Sequence, residues 1–178
     1  MLPLGTLAPD FELLDTVSDK RLSLSDVESD KGTVFMFICN HCPYVIHIQE
    51  EMVRLAHEYM VKGIAFVAIS SNDVENYPED APVKMKARAE VLDFQFPYLY
   101  DETQEVAKAY RAACTPDFYV FDKQLACVYR GRMDDATPGN GKPVTGNELR
   151  SALDALLSGN PVAEEQIPSM GCNIKWKS

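Results

Sequence analysis

Positive charge is scarce in this chain. Its 178 residues hold 17 lysines and arginines against 27 aspartates and glutamates, a formal charge of −10. A nucleic-acid partner requires a basic footprint to neutralise phosphates, and an anionic membrane surface requires the same. Neither partner is expected. No apolar run approaches the ~20 residues that span a bilayer. The opening Met1-Leu2-Pro3-Leu4-Gly5 sets no basic stretch before an apolar one, so the expected location is cytoplasmic. Repeats and low-complexity tracts are absent too, and the length predicts one domain over residues 1–178 with a C-terminal tail over 160–178. A chain of this size buries roughly two-thirds of its unfolded surface and needs no disulfide staple. Five cysteines are therefore not a framework, and their spacing matters more than their number.

The pattern of what is present is α/β. Ala8 to Leu14 reads as an opening strand, and Leu22 and Leu24 mark a short second one. Ser25-Asp26 then resembles a cap. Thr33-Val34-Phe35-Met36-Phe37-Ile38 is an unbroken apolar run, as in a central strand buried on both faces. Val45, Ile48, Met52, Leu55 and Tyr59 follow at helical spacing, with Glu51, Arg54 and Glu58 on another face. Lys62-Gly63 ends that helix, and Ile64 to Ile69 is a second buried strand, which completes a βαβ unit. A polar loop spans 70–81, Pro82 opens a helix running to about Leu92, and Asp101 with Gln104 resembles a capping box for a helix through Ala112. Phe118–Phe121 and Leu125–Tyr129 form a β-hairpin, and Asn147 opens a last helix along Leu149, Leu153, Leu156 and Leu157. The tail from Val162 shows no element.

The chemistry lies at Cys39-Asn40-His41-Cys42, where the buried strand gives way to the helix. Unpaired N–H groups and the positive end of the helix dipole stabilise an anion there, and a thiolate is the nucleophile of disulfide exchange. With the helix taken to begin at Cys39, that residue is the expected attacking thiol and Cys42 the resolving one. His41 is expected to favour the thiolate, and Asn40 to donate a neutral hydrogen bond to sulfur. No second C-x-x-C and no H-x-x-x-H accompanies the pair, so no metal is expected. The less favoured alternative is a soft-metal site on Cys39, His41 and Cys42, with Cys114 or Cys172 in principle available to complete it. No cofactor is expected.

Four stretches resemble one family. Ala8-Pro9-Asp10-Phe11-Glu12-Leu13 is similar to the opening of redoxin domains of the AhpC/TSA type. Phe37-Ile38-Cys39-Asn40-His41-Cys42-Pro43-Tyr44-Val45 resembles the active-site stretch of a peroxiredoxin-like branch of the thioredoxin superfamily. Thr115-Pro116-Asp117-Phe118 resembles the segment that carries that superfamily's cis-proline, and Gly171-Cys172-Asn173-Ile174-Lys175-Trp176-Lys177 the branch's C-terminal signature. The resemblance implies a thioredoxin-like fold: a central mixed β-sheet flanked by helices, with extra N-terminal strands. It also implies that Pro116 is cis and faces the dithiol, with the Thr115 backbone presented to an extended substrate. The implied activity is thiol–disulfide exchange with substrate proteins or small thiols, with thiol peroxidase as the alternative. Peroxiredoxins carry P-x-x-x-[TS]-x-x-C. Counting back from Cys39 gives Met36 and Gly32, and from Cys42 gives Cys39 and Phe35, so neither cysteine has that pattern. No acid lies on the run before the dithiol, which leaves the proton acceptor unassigned. Cys127 reads as a core residue, Cys114 as a small buried residue or one that approaches the dithiol, and Cys172 admits two roles, packing or a third thiol that receives a disulfide from Cys39.

Overall fold

The computed structural model describes residues 1–178. Seven strands form one mixed sheet, in the order β2 (Lys20–Ser23), β1 (Glu12–Asp15), β5 (Tyr98–Tyr100), β4 (Ala65–Ser70), β3 (Thr33–Phe37), β7 (Asp117–Phe121), β8 (Cys127–Gly131). The central pairs β3–β4 and β4–β5 are parallel, while β3–β7, β7–β8 and both pairings of β1 are antiparallel. The period of two along each strand divides the apolar residues between the two faces. Val34, Met36, Phe66, Ala68, Phe118 and Val120 point to one core. Phe35, Phe37, Val67, Ile69, Tyr119 and Phe121 point to the other. Every residue of β3 is buried, as its unbroken apolar run requires.

Helix α2 (Pro43–Val61) joins β3 to β4, and its buried residues include the predicted stripe Val45, Ile48, Met52, Leu55 and Tyr59. Glu51 departs from expectation. It is buried, because Arg150 of α5 (Asn147–Leu157) reaches across to its carboxylate at 2.8 Å. Helix α1 (Leu24–Val27) is closed by Ser23 rather than by the Ser25-Asp26 pair, the Ser23 N–H donating to Asp26 Oδ2 at 2.8 Å. Helix α3 (Pro82–Val91) begins on proline as expected.

The capping box expected at Asp101 and Gln104 does not form. Helix α4 (Glu105–Ala109) starts later. Gln104 adopts a left-handed backbone and turns its amide to the carbonyls of Ser71 and Lys175, while Asp101 receives the Ala107 N–H at 2.9 Å. A second correction concerns the tail. Cys172–Asn173 form a strand, β9, that pairs antiparallel with β6 (Cys114–Thr115). Two residues of strand carry no periodic signal, which is why the sequence pattern does not reveal them.

Candidate active site

The turn after β3 is longer than the sequence suggests. Helix α2 begins at Pro43, so its N-cap is Cys42 and not Cys39. The helix-terminus argument therefore transfers to Cys42. Pro43 at the first helical position costs nothing, because that N–H has no partner inside a helix. Cys39 lies on the extended segment before the turn, and both thiols are buried.

The two sulfurs diverge in acidity. Hydrogen bonds from the Cys39 and Cys172 thiols, together with the Val45 amide of the first helical turn, hold Cys42 well below the ordinary thiol range. Cys39 is raised, by donating a hydrogen bond to that neighbour, by burial and by the nearby Asp80 charge. The lowered thiol is thus the one at the helix N-terminus, and the raised one is its hydrogen-bond donor.

Thr115–Pro116 is a cis peptide, and it faces both sulfurs. The Thr115 hydroxyl lies 3.5 Å from Cys39 Sγ, and the neutral Cys42 thiol reaches the Thr115 carbonyl at 3.3 Å.

Asn40 and His41 differ from their expected roles. The side-chain amide of Asn40 donates to the Glu79 carbonyl at 2.8 Å and its oxygen accepts from the Tyr98 hydroxyl at 3.1 Å. Arg88 donates to its backbone carbonyl at 3.2 Å. Asn40 therefore builds the turn rather than bonding to sulfur. His41 sets Nδ1 2.6 Å from Asp80 Oδ2 and stacks on Tyr77 at a centroid distance of 5.3 Å. Any positive charge on the ring is thus met by Asp80 before it reaches a thiolate.

Asp80, on the short 3₁₀ turn Pro78–Asp80, is the residue that sequence reasoning missed. It is fully buried. Its Oδ1 receives the Asn40 N–H at 2.7 Å and the His41 N–H at 3.3 Å, and its Oδ2 faces His41 Nδ1 and receives the Asn72 amide at 2.8 Å. A carboxylate thus reaches the turn from the segment that follows β4, not from the strand before the dithiol. Nothing local in Tyr77-Pro78-Glu79-Asp80-Ala81-Pro82 marks that use.

Ligand atoms of Cys39, His41 and Asp80 lie within 4.8 Å of one another. Asp80 thus replaces Cys42 in the trio considered from the sequence. Both carboxylate oxygens already take two partners each, so a cation there competes with the hydrogen bonds that hold the turn.

Cys127 is core, as expected, and Cys114 is half-buried with its thiol pushed up to about 12 by burial and by Asp117. Cys172, considered from the sequence as a third thiol for Cys39, instead lies with its sulfur 2.9 Å from Cys42 Sγ. The only sequence pointer to it is the C-terminal stretch Gly171–Lys177.

A mixed sheet flanked by helices, with a cysteine at the N-terminus of the crossover helix opposite a cis-proline, defines a thioredoxin-like redoxin. The chain belongs to the AhpC/TSA family, which it matches over residues 4–130. It is similar to an uncharacterized conserved protein from Geobacillus kaustophilus, with a TM-score of 0.98 and 64% identity over 99% of this chain and 94% of that one. A hypothetical protein from Sinorhizobium meliloti 1021 gives 0.97 and 45% identity over 100% and 97% of the two chains. Peroxidoxin BcpB from Mycobacterium tuberculosis shares the fold, with a TM-score of 0.65 and 20% identity over 89% of this chain and 98% of that one. Among curated proteins, none matches the chain. No helix is long and apolar enough to cross a membrane.

Proposed function

We propose that this redoxin is a thiol–disulfide oxidoreductase in which Cys42 attacks and Cys39 resolves, the reverse of the order read from the sequence. The observation that carries the reading is the seat of Cys42 as N-cap of a 19-residue helix, beside the cis Thr115–Pro116 edge. The Cys42 thiolate attacks one sulfur of a substrate disulfide. That S–S bond breaks, a mixed disulfide forms, and the second substrate sulfur leaves as a thiolate. Cys39 then displaces the first substrate sulfur from Cys42, closing the Cys39–Cys42 disulfide. The proton that Cys39 releases passes to the departing substrate thiolate, so the step balances without a further group. Substrate proteins and small thiol compounds both suit this chemistry. A cleft of about 180 Å³ beside Tyr44, Pro116, Met133 and Ile167 offers room for the groups that flank a substrate cysteine.

The test is a pair of single variants in a disulfide-reduction assay. Cys42→Ser should abolish exchange, and Cys39→Ser should accumulate mixed disulfides on Cys42. Wild-type turnover by Cys42→Ser would refute the assignment.

A further inference from the structure

The residue before the cis-proline presents a backbone edge beside the Cys42 sulfur, and in this structure that edge is already taken. Strand β9 pairs with β6 in antiparallel register, Thr115 opposite Cys172 and Cys114 opposite Asn173. An extended segment that adds to a sheet edge is a general mode of peptide recognition. Here the segment belongs to the chain itself. It carries a cysteine at the one position facing Cys42, with its sulfur 2.9 Å away.

The fit is close. A Cβ on Gly171 would come within 1.9 Å of the Thr115 carbonyl oxygen, so only glycine lets the strand approach this far. Hydrogen bonds hold the segment on both sides. Ser169 Oγ donates to Asp117 Oδ1 at 2.7 Å, the Ile174 N–H donates to the Ala113 carbonyl at 3.1 Å, and the Asp73 N–H donates to the Lys175 carbonyl at 2.8 Å. With the strand in place Cys42 has no exposed surface. An outside disulfide reaches its sulfur only after β9 lifts away.

We propose that β9 is an internal substrate strand and Cys172 a third redox thiol, which converts the Cys39–Cys42 disulfide into a Cys42–Cys172 disulfide. The proposal rests on Cys42 being the exchange-active sulfur. The step is balanced within the chain. Cys172, as thiolate, attacks Cys42 Sγ, so the Cys42–Cys172 bond forms as the Cys39–Cys42 bond breaks. Cys39 leaves as a thiolate and takes the proton that Cys172 gave up. The oxidation level of the protein is unchanged, because the disulfide arrived from the substrate in the preceding exchange. The product locks β9 over the site, whereas the Cys39–Cys42 form leaves β9 free to lift. The tail thus competes with external substrate for the same edge and the same sulfur.

The experiment is disulfide mapping of the full chain after oxidation with oxidised dithiothreitol, acid quench, alkylation and tryptic digestion. Cleavage after Lys31, Arg54, Arg111, Lys123, Arg150 and Lys175 puts the Cys39–Cys42 pair, Cys114 and Cys172 on separate peptides. The expected result is a cross-link between peptide 32–54 and peptide 151–175 through Cys42, lost in Cys172→Ser, which retains only the loop within 32–54. Wild-type protein that shows the loop alone, with Cys172 fully alkylated, would overturn the proposal. A second variant addresses the strand itself. Gly171→Ala should expel β9 and raise the alkylation rate of Cys42 at least about ten-fold, because that rate follows the open fraction. An unchanged rate would also overturn it. Failure of the parent reading looks different: wild-type protein would then fail to exchange with an added disulfide, whichever pairing the map shows.

Discussion

Asp117 offers a test of how the substrate edge is held. It follows the cis-proline, is buried, and takes hydrogen bonds from Ser169 Oγ at 2.7 Å and Tyr119 OH at 2.8 Å. Burial raises its carboxyl from the ordinary 3.8 to about 6, against those two donors, which lower it. The folded-state pKa thus lies above the unfolded one, and the folded protein holds the proton more tightly. The associated stability is fully present below about pH 3.8 and is lost as pH rises through about 6. At about 1.4 kcal/mol per unit, the difference of roughly two units makes the protonated form worth about 3 kcal/mol. Asp117→Asn keeps the shape and cannot ionise. Urea unfolding of both proteins between pH 4 and pH 7.5 should show the wild type losing about 2.4 kcal/mol more than the variant across that window. Parallel pH profiles would refute the argument, since they would mean that the carboxylate is as well solvated folded as unfolded.

Three further predictions concern the site. Asp80→Ala strips the acceptor from the Asn40 and His41 amides and from Asn72, and should cost on the order of 4 kcal/mol of unfolding free energy; a loss under about 1 kcal/mol in urea titration would show that water replaces the carboxylate. Gly131→Ala puts a Cβ within 2.3 Å of the Ile167 carbonyl oxygen, at a backbone φ of +156°. Limited proteolysis should then cut the tail around 162–170 sooner than in wild type, and equal cleavage would mean that the contact does not tether it. Stopped-flow oxidation of the reduced protein by hydrogen peroxide should run at the rate of a free low-pKa thiol. Position −3 from Cys42 holds Cys39 and position −7 holds Phe35, so the Thr/Ser and proline of a peroxidatic pocket are missing; a rate several orders of magnitude faster would make peroxidase the better reading.

The sheet was legible in the chain because β3 and β4 are buried on both faces and read as unbroken apolar runs, and because α2 repeats its apolar residues at helical spacing over 19 positions. The reading failed where a single turn or a distant contact decides the structure. An apolar run ending at Ile38 does not say where the next helix begins, and α2 begins at Pro43, four residues after Cys39. Glu51 looked like a surface residue on the helix wheel until Arg150, 99 positions away, covered it. Asp80 and Cys172 act on the dithiol through contacts 40 and 130 residues long in sequence. No local periodicity encodes contacts of that kind.

The central claim is that Cys42, not Cys39, carries the thiolate. Titration of the reduced protein by NMR, with ¹³C at the cysteine β-carbons, follows each thiol separately. The first proton of the coupled pair should leave Cys42, at a pH well below that of an ordinary thiol, while Cys39 stays protonated through the neutral range. If Cys39 titrates first and Cys42 keeps its proton, the assignment of attacker and resolver is wrong.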